Sequence, residues 1–438
     1  MGETAMVAGP SASPSFLDSL AGFLNELADT RPLGVAVSGG GDSLSLLLAL
    51  NHLVPAQRLF VLTVDHGLRP DSTSEARTVA VLCASRAIPH ETLAWSGPKP
   101  ATRLQARARQ ARYELLAEAA GRLGLCGVVT AHTRDDQAET LWMRQARTTD
   151  HLSTGLAGIP PATLYDGRLW VMRPLLDIPR RAVRDWLSDQ GVKPMEDPGN
   201  ADLRFERVRV RRDLAANPAP VGLHDAKAAQ DRRQALAAAC AGVIADRTRR
   251  DGQGTIHFRH AGVAAAPALA VLVRLVDLVG GRARPLDRHG KDLLRGLLET
   301  GVRRTATVGR VLIDVRDGAM RLSRENRALP RVLLAPGATT DWDGRFRIAN
   351  RSLEPIAVSA GPGPGRRPEL LCVERTGEAA EHARSQQPPE ATVSALCGAA
   401  SRILPVFEYE CAVETARLAE APQFPPCPWR RSAKVVRF

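Results

Sequence analysis

Between Gly34 and Asp177 the hydrophobic pattern switches repeatedly between two periods. Short, nearly continuous apolar runs read as strands: GVAVS (34–38), LFVLTVD (59–65), HETLAW (90–95), CGVVTA (126–131) and RLWVM (168–172). Helical periodicity fills 43–53, 71–86, 102–123 and 136–147 between them. Strands that are apolar on both sides need cover on both faces. The pattern therefore predicts an open, doubly wound α/β domain with a parallel sheet. Ligands of such a sheet bind beyond the carboxyl ends of its strands.

A further helix is expected at 179–190, then an irregular charged stretch and the linker AANPAP (215–220). From about 222 to 302 an Ala/Leu/Arg-rich pattern predicts a small helical domain. Beyond APGATTDWDGRFRI the chain turns Gly/Pro-rich with short β-like runs, and SAGPGPGRRPE (359–369) and ARSQQPPEA (383–391) read as exposed loops. The expected division is a catalytic domain over 1–217, a helical RNA-binding domain over 218–330, and a mixed α/β domain over 331–438.

Charge narrows the partners. The chain carries 59 Lys+Arg against 47 Asp+Glu, a net +12, which favours a polyanion, nucleic acid first. An arginine-rich solvated surface is the plainer alternative. The seven cysteines include no CxxC pair, so neither a disulfide framework nor a zinc or iron–sulfur cradle is indicated. The most apolar run, AAAPALAVLVRLVDLVGG, is broken by Arg274 and Asp277, which argues against a membrane span. The stretch MGETAMVAGPSASPSF carries neither a basic n-region nor an apolar h-region, and a cytoplasmic location is expected.

The chemistry begins at the first strand. After Val35-Ala36-Val37 the chain turns through Ser38-Gly39-Gly40-Gly41-Asp42-Ser43 into a helix. Glycines let backbone N–H groups face a phosphate closely, and the helix adds its positive end. The spacing is not GxxxxGK[ST], so the lysine of a Walker loop is missing. Asp42 stands in the loop instead, suited to magnesium or to a cationic substrate. A plain strand-to-helix turn with Asp42 or Ser43 as cap is the structural alternative.

A second cluster lies in AHTRDDQAETLWMR (131–144). His132, Asp135, Asp136 and Glu139 fall at i, i+3, i+4 and i+7, one polar stripe near a helix start. Dipole complementation explains Asp135 and Asp136 but not Glu139 or His132. On 103–118, Arg112 beside Tyr113 is the pair singled out for an anion, and VDHGLRPDS (64–72) falls in the expected ligand crevice.

The Ser-Gly-Gly-x-Asp-Ser pattern resembles the pyrophosphate loop of N-type ATP pyrophosphatases. Together SGGGDS, VDHGLR, ARQARY and AHTRDDQAET resemble the tRNA isoleucine lysidine synthetases, and the likeness continues through GLAGIP, RPLLDIPR and EDPGNADLRFERVRVR to about residue 212. Gly199 stands where the family usually has serine, and Val208 replaces a common asparagine. The resemblance implies a ligase that converts the wobble cytidine of a CAU-anticodon tRNA(Ile) to lysidine, using ATP, magnesium and L-lysine, and it favours a homodimer. On that basis Ser38, Gly39, Gly40, Gly41, Asp42 and Ser43 are expected to bind ATP. Asp42 and Asp136 are expected at magnesium or the lysine amine, and Asp136 with Glu139 at the lysine side chain. Arg112 is expected to stabilise the transferred phosphoryl group, and His132 to move a proton or orient phosphate. Arg204, Arg207, Arg209 and Arg211 are expected as a strip along the RNA backbone, with an exposed strand face as the plainer reading. A tRNA thiolase and a non-catalytic RNA-binding protein are the rival functions.

Overall fold

The computed structural model describes residues 15–68, 72–97, 99–100, 102, 104–146, 156–195, 203–204, 206–216, 223–251, 254–282, 286–300, 303–360, 371–375, 391–395, 403–421 and 424–429. The N-terminal fourteen residues, most of the 215–220 linker and most of the two Gly/Pro-rich loops fall outside them. Two compact units emerge: residues 1–230 with 426–438, and residues 231–425.

The first unit begins with α1 (Phe16–Glu26), which buries Phe16, Leu20 and Phe23 along one face. It continues with β1 (Leu33–Ala36), α2 (Gly41–Leu53), β2 (Leu59–Asp65), α3 (Ser72–Ala84), β3 (His90–Ala94), α4 (Leu104–Arg122), β4 (Val128–Val129) and α5 (Arg134–Gln145). Next come β5 (Ala162–Tyr165), β6 (Leu169–Met172), α6 (Arg180–Asp189) and α7 (Glu206–Ala216). Within this unit the strand order is β5-β6-β4-β1-β2-β3. All neighbours are parallel except β5, which runs against β6 with Thr163 opposite Val171. Every residue of β1, β4, β5 and β6 is buried, so these strands carry the two-sided apolar pattern of a covered sheet.

The helix α8 (Leu223–Arg247) contains the boundary between units. The second unit adds β7 (Thr248–Arg250), β8 (Ile256–Arg259), α9 (Ala265–Gly280), α10 (Arg288–Thr300), β9 (Arg304–Val308), β10 (Val311–Arg316) and β11 (Ala319–Arg324). These five strands form one antiparallel sheet, β7-β8-β11-β10-β9, whose core is filled by α9 residues such as Val271, Leu272 and Leu275. The helical reading of 222–302 is thus corrected. Ile256 and Phe258 point inward while His257 and Arg259 point outward, a period-2 pattern too short to stand out from the flanking helices. Two three-stranded sheets follow, built from β12 (Val332–Leu334), β13 (Thr339–Trp342), β14 (Phe346–Asn350), β15 (Ile356–Ala360), β16 (Leu371–Arg375) and β17 (Ala391–Ala395). The unit ends with β18 (Ile403–Pro405) and α11 (Tyr409–Ala419). Among the described residues no helix is long and apolar enough to cross a membrane.

Candidate functional site

The order β5-β6-β4-β1-β2-β3 places a topological switch between β1 and β4, because the chain leaves them toward opposite edges of the sheet. A crevice opens beyond their carboxyl ends. β1 runs through Val37 into the glycine loop, and β4 runs through Thr130 to His132 and α5. The two sequence motifs are neighbours for this reason.

In the loop, Gly39 has φ 83°, a left-handed conformation that a side chain would strain. Ser43 Oγ donates to the Gly40 carbonyl at 2.9 Å and accepts from Ser38 N–H at 3.2 Å. Ser38 Oγ lies 3.3 Å from Ser43 Oγ, so the serines brace the turn. Gly41 and Asp42 open α2, and first-turn amides have no intrahelical acceptor. With the helix dipole they make a seat for an anion. A strap not foreseen from the sequence lies on this loop: Met195 N–H donates to Gly39 O at 3.1 Å, and Pro194 packs against Gly41.

A cavity of about 410 Å³ adjoins the loop, lined among others by Ser38, Gly40, Thr63, His66, Arg112 and Met195. That volume falls in the range of small-molecule sites. His66 Nδ1 is buried there with no partner among the described residues, and burial pushes its pKa down. Around Arg112 stand further cations. Burial lowers the pKa of Arg112 and of Arg173, and Arg109 repels both, yet guanidinium groups stay charged in proteins. No carboxylate among the described residues forms an ion pair with Arg112 or Arg173. His132 belongs to this half: burial first, then Arg173, Arg112, Arg207 and Arg109, hold its pKa well below the usual value. It is a neutral imidazole at pH 7, with Nδ1 2.9 Å from Thr130 Oγ1. Glu75 also lines the cavity, but Arg112, Arg173 and Arg109 outnumber it, an arrangement for an anionic ligand.

The other half is acidic, and the structure fills it with arginines. Asp136 spends Oδ2 on its own helix start, accepting from Thr133 N–H at 2.8 Å and Thr133 Oγ at 2.9 Å. Its Oδ1 faces the site. Arg180 reaches Asp42 Oδ2 at 3.1 Å, Asp136 Oδ1 at 2.8 Å and Glu139 Oε1 at 3.0 Å. Arg207 bonds Asp136 Oδ1 at 2.8 Å and Glu139 Oε2 at 2.6 Å, and Arg211 bonds Glu139 Oε1 at 2.9 Å. Arg184 adds a contact to Asp42 Oδ1 at 3.1 Å. Burial disfavours the Glu139 charge, but Arg211, Arg180 and Arg207 outweigh it and hold the carboxyl below its ordinary range. Asp135 is turned away from this cluster; its Oδ2 accepts from Arg180 N–H at 2.7 Å.

The Arg180 guanidinium bridges Asp42 and Asp136, the two carboxylates expected at magnesium or the lysine amine. Among the described residues no group of three or more His, Cys, Asp or Glu could hold a metal. The arginine strip is not one face. Arg207, Arg209 and Arg211 lie on α7 rather than on a strand, and Arg207 and Arg211 turn to the acids. Arg209 instead donates to the Leu203 and Arg204 carbonyls, at 2.7 and 3.0 Å, and both Arg204 and Arg209 are exposed. Arg180, Arg184, His66, Arg173 and Met195 were missed. Arg173 opens and Arg180 closes the RPLLDIPR motif, and His66 stands in VDHGLR, so those three were marked by position though given no role.

A family model described as a PP-loop domain matches residues 13–217. A tRNA(Ile)-lysidine synthase of Rhizobium meliloti is 38% identical over 80% of this chain and 80% of its own. One from Mesorhizobium japonicum is 44% identical over 72% and 71%, and one from Brucella canis 34% identical over 94% and 90%. Likeness of this degree over most of both chains, with the glycine loop and the acid-bearing helix meeting at one crevice, places the chain in the tRNA(Ile)-lysidine synthase family.

Proposed function

We propose that this ligase builds lysidine at the wobble cytidine of a CAU-anticodon tRNA(Ile) in two steps, changing the codon read from AUG to AUA. In the first, cytosine O2 attacks the α-phosphorus of ATP and pyrophosphate leaves. In the second, the ε-amine of L-lysine attacks C2, loses a proton, and AMP departs with the former O2. Splitting the exchange this way turns a poor leaving oxygen into a good one.

The observation that carries this reading is the division of one crevice into a cationic half and an acidic half. On the cationic side, the Gly39–Ser43 turn and the 410 Å³ cavity suit ATP. Arg112 is assigned to the charge that grows on the transferred phosphoryl group, where a fixed cation away from water is most effective. His132, held neutral by burial and by the arginines around it, is a weak base and is assigned to orient phosphate by a hydrogen bond. On the acidic side, Asp136 and Glu139 are assigned to the lysine ammonium, since a buried ammonium needs paired carboxylates. Magnesium is proposed only as an ion that arrives on ATP's phosphates, because Arg180 holds the carboxylates the sequence offers to it.

An anticodon loop is single-stranded, so presenting its base to such a crevice costs little. Exposed Arg204 and Arg209 are assigned to its backbone, and the second unit to the rest of the tRNA. A cytoplasmic homodimer is the assembly in keeping with the family resemblance. The thiolase alternative needs a reactive thiolate. Burial pushes Cys83 and Cys126 up to about 11, which leaves both protonated at pH 7. Incubating the purified protein with ATP, L-lysine and unmodified tRNA, then weighing the nucleosides, tests the reading. A cytidine gaining lysine less one water supports it; a sulfur-for-oxygen gain or no change contradicts it.

A further inference from the structure

The arginines on the acidic half fall into two kinds. Arg180 is fixed: its side chain is 12% exposed, its backbone N–H is held by Asp135, and Arg134 N–H bonds Ile178 O at 2.9 Å just before it. Arg207 and Arg211 come from a different helix, four residues apart on one face of α7, with side chains 39% and 37% exposed. Between them these two cover both oxygens of Glu139, and Arg207 also takes the one Asp136 oxygen not used by Thr133. An alkylammonium needs those same acceptors. With all three guanidiniums in place the acids are neutralised, and a further cation would meet only like charge.

A half-exposed guanidinium has a second class of partner. It binds phosphate oxygens by paired, charge-assisted hydrogen bonds, and the chain's net +12 draws polyanions to it. We infer that Arg207 and Arg211 are exchangeable counter-ions, which the RNA substrate's backbone phosphates draw off Asp136 and Glu139 so that the acids become free for the ammonium of the amine substrate. This rests on the assignment of those acids to L-lysine. RNA then acts as the key to the amine site, and Arg180 stays behind to keep the carboxylates ionised and in place. Because linked binding is reciprocal, L-lysine must tighten RNA by the same factor.

Equilibrium dialysis of radiolabelled L-lysine against the full chain, without ATP, tests this directly. Saturating unmodified CAU-anticodon tRNA is expected to tighten lysine binding tenfold or more. The Arg207→Gln/Arg211→Gln variant is expected to bind lysine without RNA about as tightly as the tRNA-saturated wild type, and tRNA should add less than twofold. Arg212→Gln removes the same charge from an exposed position on α7 and should behave as wild type. Wild-type affinity that tRNA leaves unchanged overturns the inference, and this arm decides even if the double variant does not fold. A double variant that melts like wild type yet binds lysine no better overturns it as well. Glu139→Gln separates the two levels. Wild-type lysine binding by that variant would remove the site assignment itself, whereas its loss alongside silent arginine variants would remove only the exchange.

Discussion

Glu139 in the first unit and Asp343 in the second are both buried carboxylates ringed by three arginines, and they differ in what the arginines hang on. Asp343 has a side chain 0% exposed and is held by Arg310, by Arg324 at 3.0 Å and by Arg345 at 2.7 Å. Arg310 and Arg345 sit in tight turns between β9 and β10 and between β13 and β14, and Arg324 ends β11 with only 3% of its side chain exposed. Arg345 further lies over the rings of Trp342 and Phe346. Its neighbour Gly344 has no room for a side chain, since a Cβ there would stand 2.1 Å from the Gly281 carbonyl oxygen. Around Glu139 two of three arginines are more than a third exposed and come from one helix, whereas around Asp343 only Arg310 is, at 37%. In both places the arginines hold the carboxyl below its ordinary range against the cost of burial. Burial of the acid therefore does not separate a structural cluster from a functional one. What differs is that Glu139 has two exposed cations carried on one helix, and Asp343 has one, held in a turn.

The sharpest way to break that contrast is to neutralise each acid. Asp343→Asn leaves Arg324 and Arg345, 3% and 18% exposed, without a partner and largely shut from water, and removing one partner of a buried pair typically costs about 3–5 kcal/mol. Denaturant unfolding should show a loss of that size with the crevice unaffected. Glu139→Gln frees arginines that can turn to solvent, so its stability loss should be smaller, about 1–3 kcal/mol as for an unsatisfied buried group. Its rate of lysidine formation should fall by about 10²–10³, the scale of losing a preorganised charge partner. Equal stability losses in the two variants would erase the distinction.

Smaller changes sharpen it. Gly39→Ala forces a side chain into φ 83°, a strain of roughly 1–2 kcal/mol, and pushes against Met195; nucleotide binding by calorimetry should weaken more than the melting temperature falls. Acidification probes His132. Its folded-state pKa lies below the unfolded value of 6.5, so its contribution is intact above pH 6.5 and is lost as pH falls, because the unfolded chain takes the proton first. Between pH 6.5 and 5.5 this amounts to about 1 kcal/mol, and His132→Gln should flatten that part of the stability–pH curve. The smallest effect is expected from Arg184→Gln. Its side chain is 59% exposed, and its pair with Asp42 should contribute at most about 1 kcal/mol to unfolding stability.

Much of the first unit was legible because its strands are apolar on both sides and its helices are not, a contrast that survives in any window of the sequence. The glycine loop and the stripe of Asp136 and Glu139 were legible for a related reason: each is a local spacing. Arg180 was not, since its bond to Asp42 spans 138 positions and leaves no periodic trace. The α7 helix was hidden by arginines at alternate positions, which mimic a strand face although 207 and 211 are a helical pair. Asp343 gave little signal: Arg345 lies two residues away in the same turn, but Arg310 and Arg324 come from the β9–β10 turn and the end of β11 and leave no local spacing.

The division of the crevice into a cationic half for ATP and an acidic half for lysine is tested most directly by following label from [α-³²P]ATP into tRNA with Glu139→Gln. The expected result is tRNA that carries AMP and accumulates, with lysidine formed from it only at a rate lowered by about 10²–10³. Label that never reaches the tRNA, or lysidine formed at the wild-type rate, would contradict the division.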